Sequence, residues 1–240
     1  MILSLRLAGA KRAMLRSWLG RYRNACVVIG AGVLATALTL HLMAPGAAPN
    51  LAEPENARRV EALAQRWAQG DVVALVRHVE RCDRSTTPCL GPADGVTVRG
   101  EAVAQGLGED FRQLGLNNAD VFSSLLTRAR QTADAMFVRP VEAQDWLFNC
   151  RGTMLRDVLE HKVPGRNLVL VTHSECMDQL ETDMQVPTDT PVAFGSTMFV
   201  SVAHAGAHPQ MLGYIEPADW GRILAQPLAF NSPARDAPPL

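Results

Sequence analysis

The chain has 240 residues, 48% hydrophobic and 20% charged, a balance that fits one well-packed domain plus an appendage and excludes a disordered chain. Its net charge of −1 conceals an asymmetry: residues 1–24 carry Arg6, Lys11, Arg12, Arg16, Arg21 and Arg23 with no acid, +6, which leaves −7 for the remainder. A mildly acidic remainder excludes a nucleic-acid binder of the usual basic kind.

The basic segment 1–24 precedes ACVVIGAGVLATALTLHLM, Ala25 to Met43, nineteen residues without Asp, Glu, Lys or Arg. That length spans a bilayer core as a helix, and no polar face appears in it as a surface-packed helix would have. The arginine flank stays cytoplasmic, sending everything after Met43 outward. Small residues at Gly46 and Ala48 resemble a signal-peptidase site, but Pro49 would follow the cut and the apolar run exceeds a signal peptide's usual core. An uncleaved signal anchor over 25–43 is favoured over a cleaved leader.

A Pro- and Ala-rich linker, 44–54, follows, and the folded domain is expected over 55–225. ENARRVEALAQRWAQG has Val60, Leu63, Ala64 and Trp67 at helical spacing, with Gly70 as a stop signal. Val72 to Val76 is a short β-branched run, a strand covered on both faces, ending in Arg77-His78 and then Glu80, Arg81, Asp83 and Arg84. A turn-rich loop runs from Asp83 to Gly95. VRGEAVAQGLGEDFRQLG reads as a helix with Ala104, Leu107, Phe111 and Leu114 on one stripe. ADVFSS reads as a strand and LLTRARQTADAMF as a helix opening directly after it. WLFNCRGTMLRDVLEHKVPG contains another helix, NLVLVTHSE a third strand, and STMFVSVAHAG with QMLGYI a late hairpin. Alternation of this kind predicts an α/β domain with a mostly parallel central sheet in a three-layer sandwich. The Pro- and Ala-rich tail, 226–240, is expected to fray.

Cys26 lies in the apolar segment. The other four cysteines, Cys82, Cys89, Cys150 and Cys176, are even in number and outward-facing, which predicts two disulfides. Cys82 and Cys89 enclose only DRSTTP and are the easy pair, leaving Cys150 with Cys176, although spacing alone leaves the connectivity open. No CxxC or close Cys/His pair supports a metal site, and no cofactor is expected.

In an open parallel sheet, ligands sit beyond the carboxyl ends of the strands. Three strands here end in Arg77-His78, in Ser123-Ser124 followed by Arg128, and in Thr172-His173. If they are neighbours, two histidines and several arginines converge on one rim. Such a set suits phosphoryl transfer. Guanidinium forks hold the phosphate oxygens, a neutral imidazole attacks phosphorus, and a second, protonated histidine stabilises the equatorial charge.

These residues carry a resemblance. VRHVERCDRS resembles the Arg-His signature of the histidine phosphatase superfamily, whose members share the phosphoglycerate mutase-like fold. VTVRGEAVAQGLGEDF, SSLLTRARQTA, LVTHSE and MLGYIEPADW match further segments in order, so the resemblance covers Asp71 to Trp220. Within it, RHVERCDRSTTPCL…GVTVRG with the later Cys150 and Cys176 looks like the membrane-targeted, periplasmic lipopolysaccharide core heptose-phosphate phosphatases. The resemblance implies His78 as nucleophile and Arg77, Arg81, Arg128 and His173 as the phosphate pocket. It also implies a phosphorylated sugar or lipopolysaccharide core substrate, and a periplasmic domain tethered to the inner membrane through 25–43.

Two departures alter the backbone: Val79 replaces the usual Gly after the first His, and Leu125 a frequent Pro. A third concerns the proton donor, because LFNCRGTML lacks the carboxylate many relatives place there. Glu175 is the first candidate for the acid, with a pKa expected to be raised by burial, and Glu80, Asp83 and Asp145 stand behind it. Arg84, Arg99 and Arg130 read as surface or rim charges, His161 as solvated, and His204 and His208 as turn residues. Trp146 and Trp220 read as core or rim anchors, Trp146 being open to a sugar-stacking role. The alternatives are a periplasmic phosphatase for other small organic phosphates and a catalytically weak phosphoglycan-binding module.

Overall fold

A computed structural model of the protein describes Tyr22 and residues 25–39, 46–188, 192–202 and 208–226. The chain divides into two units, Met1–Pro45 and Gly46–Leu240. Most of the basic segment 1–24, the end of the expected anchor at 40–43, His204 and the tail 227–240 lie outside the described residues.

In the first unit residues 25–39 are helical, and Val27, Val28, Ile29, Val33, Leu34 and Leu38 are exposed. The Thr36 and Thr39 hydroxyls donate to carbonyls four residues back, Gly32 at 2.9 Å and Ala35 at 2.8 Å. Among the described residues no helix is long and apolar enough to cross a membrane.

The second unit begins earlier than the expected linker allows. Leu51 and Ala52 are buried, and the Leu51 N–H donates to the Tyr214 carbonyl at 2.9 Å, because an apolar side chain next to an open strand edge gains by docking there. Among the described residues six α-helices follow: α1 (Ala57–Gln69), α2 (Val98–Leu114), α3 (Thr127–Phe137), α4 (Met154–His161), α5 (Ser174–Asp183) and α6 (Trp220–Leu224). The strands are β1 (Val72–Arg77), β2 (Ala119–Ser124), β3 (Glu142–Gln144), β4 (Asn167–Thr172), β5 (Thr197–Ser201) and β6 (Gln210–Ile215). They form one sheet in the order β3-β2-β4-β1-β5-β6. The first four run parallel, and β5 and β6 are antiparallel additions. The late hairpin is therefore present as paired strands, and the mostly parallel sheet holds.

Alternation along β1 divides the core. Val72, Ala74 and Val76 face a cluster with Val60, Leu63 and Trp67 of α1, Phe111 of α2, Ala133 of α3 and Trp220 of α6. Val73 and Leu75 face Val158 of α4 and Met177 and Leu180 of α5. The sheet lies between two helical layers, which accounts for its continuous apolar strands. All four residues of the predicted α2 stripe are buried. Three short elements were not anticipated: the edge strand β3, helix α5 directly after His173, and helix α6.

Helices α2 and α3 touch at Gly108, where a Cβ would sit 2.0 Å from the Met136 carbonyl oxygen. Backbone cannot yield as a flexible side chain does, so Gly108→Ala must separate the two helices. We expect it to cost about 3 kcal/mol, read as a lower urea midpoint. Gly106 lies on the same helix with nothing within 4 Å of its would-be Cβ. Gly106→Ala should therefore be stabilising, by about 0.5–1 kcal/mol.

Candidate active site

Register assembles the site. β1 and β4 pair in parallel with Arg77 opposite Thr172, so the next residues, His78 and His173, come level at the carboxyl ends. The His78 N–H donates to the Thr172 carbonyl at 2.9 Å, and the two ring centroids lie 5.2 Å apart. β2 pairs β4 on its other side with Ser123 opposite Val171, bringing the Ser124 hydroxyl to 2.8 Å from His173 Nε2. The strands expected to be neighbours are neighbours.

Both imidazoles are buried. His78 Nδ1 lies 2.9 Å from the Val79 carbonyl, an acceptor, so the ring proton belongs on Nδ1 and Nε2 keeps a lone pair. Arg128, in the first turn of α3, donates from Nε to that Nε2 at 3.1 Å. Burial, helped by the charges of Arg128, Arg77 and a protonated neighbouring His173, pulls His78 down to about 3 against its hydrogen bond to Val79. His173 is pulled down to about 4, first by burial and then by Arg128. The second histidine is thus neutral at pH 7 in the free protein, not protonated as expected: burial and Arg128 outweigh the opposing charge of Glu175.

The motif residues around them have local work. Thr132 Oγ1 accepts from the Val79 N–H at 3.2 Å and donates to the Arg128 carbonyl at 2.7 Å, tying the His78 loop to α3. Val79, in place of a glycine, packs against Gly100, whose would-be Cβ lies 3.1 Å from Val79 Cγ2. Thr97 caps α2 by accepting from the Gly100 N–H at 2.9 Å. Gln131 Oε1 accepts from the Val96 N–H at 2.9 Å and steadies the loop before that cap.

Arg77 donates from Nη1 to the Val192 carbonyl, its guanidinium carbon lies 4.2 Å over the Phe194 ring, and its buried Nε has no hydrogen-bond partner. His173 Nδ1 is likewise buried and unpartnered. Arg81 is held bidentately by Asp83, at 2.8 and 2.5 Å, and its charge acts on Arg77, Arg128 and His173. Arg81 is therefore at the site but engaged, and an anion would have to compete with Asp83 for its fork.

The expected acid differs from its prediction. Burial does raise Glu175, but its own backbone N–H, the Ser174 hydroxyl, His173 and Arg128 together outweigh that and leave its pKa lowered. A position in the first turn of α5 favours the anion. The reserve candidates are committed elsewhere. Glu80 accepts from Thr97 Oγ1 at 2.7 Å and pairs with Arg99, Asp83 pairs with Arg81, and Asp145 accepts from Asn149 at 2.7 Å. Asp178, not singled out in the sequence, is raised by burial and by Glu175. His161 is not simply solvated: it stacks on Trp146 at 4.6 Å, with Nδ1 2.8 Å from the Asp157 carbonyl. Trp146 is thereby a structural anchor, and Trp220 is core.

The disulfides join Cys82 to Cys89 and Cys150 to Cys176, with Cα separations of 5.4 and 5.6 Å. The first closes the loop leaving His78; the second ties α5, just after His173, to the segment following β3. Sequence reasoning missed the two aromatic rings beside the histidines. Phe194 lies 5.6 Å from His78 and Phe148 lies 6.1 Å from His173. Neither has a spacing signal, since both stand on irregular segments brought in by tertiary folding.

No family model matches the chain. It is 33% identical over 132 residues to the lipopolysaccharide core heptose(II)-phosphate phosphatase of Escherichia coli K12, covering 54% of this chain and 66% of that protein. The protein of that name from Escherichia coli O157:H7 is 33% identical over 126 residues, covering 51% of this chain and 62% of the relative. The chain thus spans just under two thirds of the length of these relatives. Among solved structures, a phosphoserine phosphatase variant from Entamoeba histolytica with phosphoserine bound has a TM-score of 0.48 at 12% identity, covering 62% of this chain and 98% of that one.

Proposed function

We propose that this chain is a phosphomonoesterase of the histidine phosphatase superfamily, working through a phosphohistidine at His78. The observation that carries the reading is the state of His78. Its Nδ1 proton is committed to Val79, its Nε2 lone pair faces Arg128, and its pKa of about 3 keeps it neutral across the working range. Nε2 attacks phosphorus as the bond to the ester oxygen breaks, and water then hydrolyses the phosphohistidine. Arg77, Arg128 and His173 hold the phosphoryl oxygens, and the unpartnered Arg77 Nε and His173 Nδ1 supply two further contacts. Arg81 joins them by exchanging Asp83 for phosphate.

Glu175 serves as the acid in a substrate-dependent way. It is ionised in the free site, and a bound phosphate dianion raises its proton affinity by repulsion. The proton so gained goes to the departing oxygen, and the carboxylate then activates water. As substrate we propose a phosphorylated sugar of the lipopolysaccharide core, on the likeness to proteins of that name. Export to the periplasm and a tether through 25–43 are supported by the charge-free run, its basic flank and the exposed apolar side chains of residues 25–39.

The test is phosphate release by the full oxidised chain from purified phosphorylated lipopolysaccharide core and from small organic phosphates, in chelator, with acid-labile phosphoprotein trapped on rapid quenching. Release with a trapped phosphohistidine is expected. Phosphate bound but never released, with nothing trapped, would refute the enzyme and leave a phosphoglycan-binding module.

A further inference from the structure

Four rings form a row along the site. Phe194 lies 5.6 Å from His78, His78 lies 5.2 Å from His173, and His173 lies 6.1 Å from Phe148. The outer two are not equivalent. Phe194 is half-buried and carries the Arg77 guanidinium over its face. Phe148 is 49% exposed and meets His173 edge to face, at an interplanar angle of 80°.

A single exposed apolar side chain is ordinary on a protein surface. Phe148 differs in how firmly its backbone is held. Leu147 before it is fully buried, and its carbonyl accepts from the Thr172 hydroxyl at 2.7 Å. The Phe148 N–H donates to the Asp145 carbonyl at 2.9 Å, and Cys150 is bonded to Cys176 in α5. Leu125, following the Ser124 that contacts His173, is 47% exposed as well. The surroundings of His173 therefore present two apolar side chains to solvent, one of them an aromatic ring on a fixed backbone that has little freedom left to lose on binding.

We propose that Phe148 is the platform for the organic part of the ester and that it selects phosphates of ring-shaped sugars over open-chain ones. The proposal rests on the phosphomonoesterase reading. A pyranose has a face of C–H groups that can lie against an aromatic ring, whereas an open-chain polyol covers less of it and must be ordered to do so. The phosphate stays with the arginines and histidines, so Phe148 contributes to discrimination between alcohols rather than to phosphate capture.

The experiment compares the full chain with Phe148→Ala and Phe148→Trp on a pyranose phosphate and on glycerol phosphate, with inorganic phosphate as a competitive inhibitor. Phe148→Ala is expected to lower kcat/KM for the pyranose phosphate roughly tenfold, to change that for glycerol phosphate less than twofold, and to leave inhibition by phosphate unchanged. Phe148→Trp should restore the pyranose preference. Equal loss on both esters, weakened inhibition by phosphate, or no change on either would overturn the proposal, the first two marking Phe148 as mere support for His173. Should the parent chain release no phosphate from any ester, the enzymatic reading fails separately. The platform is then decided by calorimetry, as the affinity for the pyranose phosphate divided by that for inorganic phosphate. A tenfold fall of that ratio in Phe148→Ala supports it, and an unchanged ratio overturns it.

Discussion

Replacing His78 by alanine or glutamine is expected to lower kcat for every phosphomonoester by at least about 1,000-fold and to abolish the trapped phosphoenzyme, because removing a nucleophile removes the intermediate itself. Glutamine provides a second readout. His78 titrates near 3 in the folded protein, against the usual 6.5. A depressed histidine binds its proton more tightly when unfolded, so it leaves stability unaffected above pH 6.5 and weakens the fold as pH falls from 6.5 toward 3. The slope is about 1.4 kcal/mol per pH unit for one proton. His78→Gln should therefore flatten the decline of urea stability between pH 6.5 and 4 by about that slope, leaving the share due to His173, which titrates near 4. A glutamine variant that keeps activity, or keeps the full acid slope, would refute the assigned state of His78.

Arg128 is expected to give the second-largest loss. It is the one described residue with a hydrogen bond to His78 Nε2, at 3.1 Å, and its charge presses on both histidines. Arg128→Ala should lower kcat/KM by about 100- to 1,000-fold, the range for deleting one donor that meets developing charge. Arg128→Lys should recover only part of this, since an ammonium retains the charge but not the planar fork. Loss of a neighbouring cation also moves both histidines upward, a shift readable by NMR titration. Full activity in the lysine variant would mean that charge alone suffices.

Much of this was legible because it lies at strand ends. The β-branched runs of β1 and β4 announce themselves, and each hands on directly to a histidine, so locating the strands located the chemistry. Strand β3 was not legible: three residues, Glu142 to Gln144, pair through their backbones and carry no apolar alternation. Helix α5 was hidden because its buried positions mix Met177 and Leu180 with Cys176 and Glu181. The state of Glu175 depended first on its own backbone N–H and the Ser174 hydroxyl, whose geometry is set only once the first turn of α5 has formed. Burial was foreseen, but the further pull of His173, which follows β4, and of Arg128 in α3 required the tertiary fold. Phe148 beside His173 was equally out of reach, since two loops had to meet first.

The pairing of Arg77 with Thr172 has a practical consequence at the bench. A strand displaced by one residue turns its buried face outward, and here the same displacement would carry His173 out of level with His78. Misassembled molecules would thus be both poorly packed and inert, with few species folded yet silent. Counting phosphorylated histidines per chain in a burst experiment would then double as a census of correctly folded protein in a preparation.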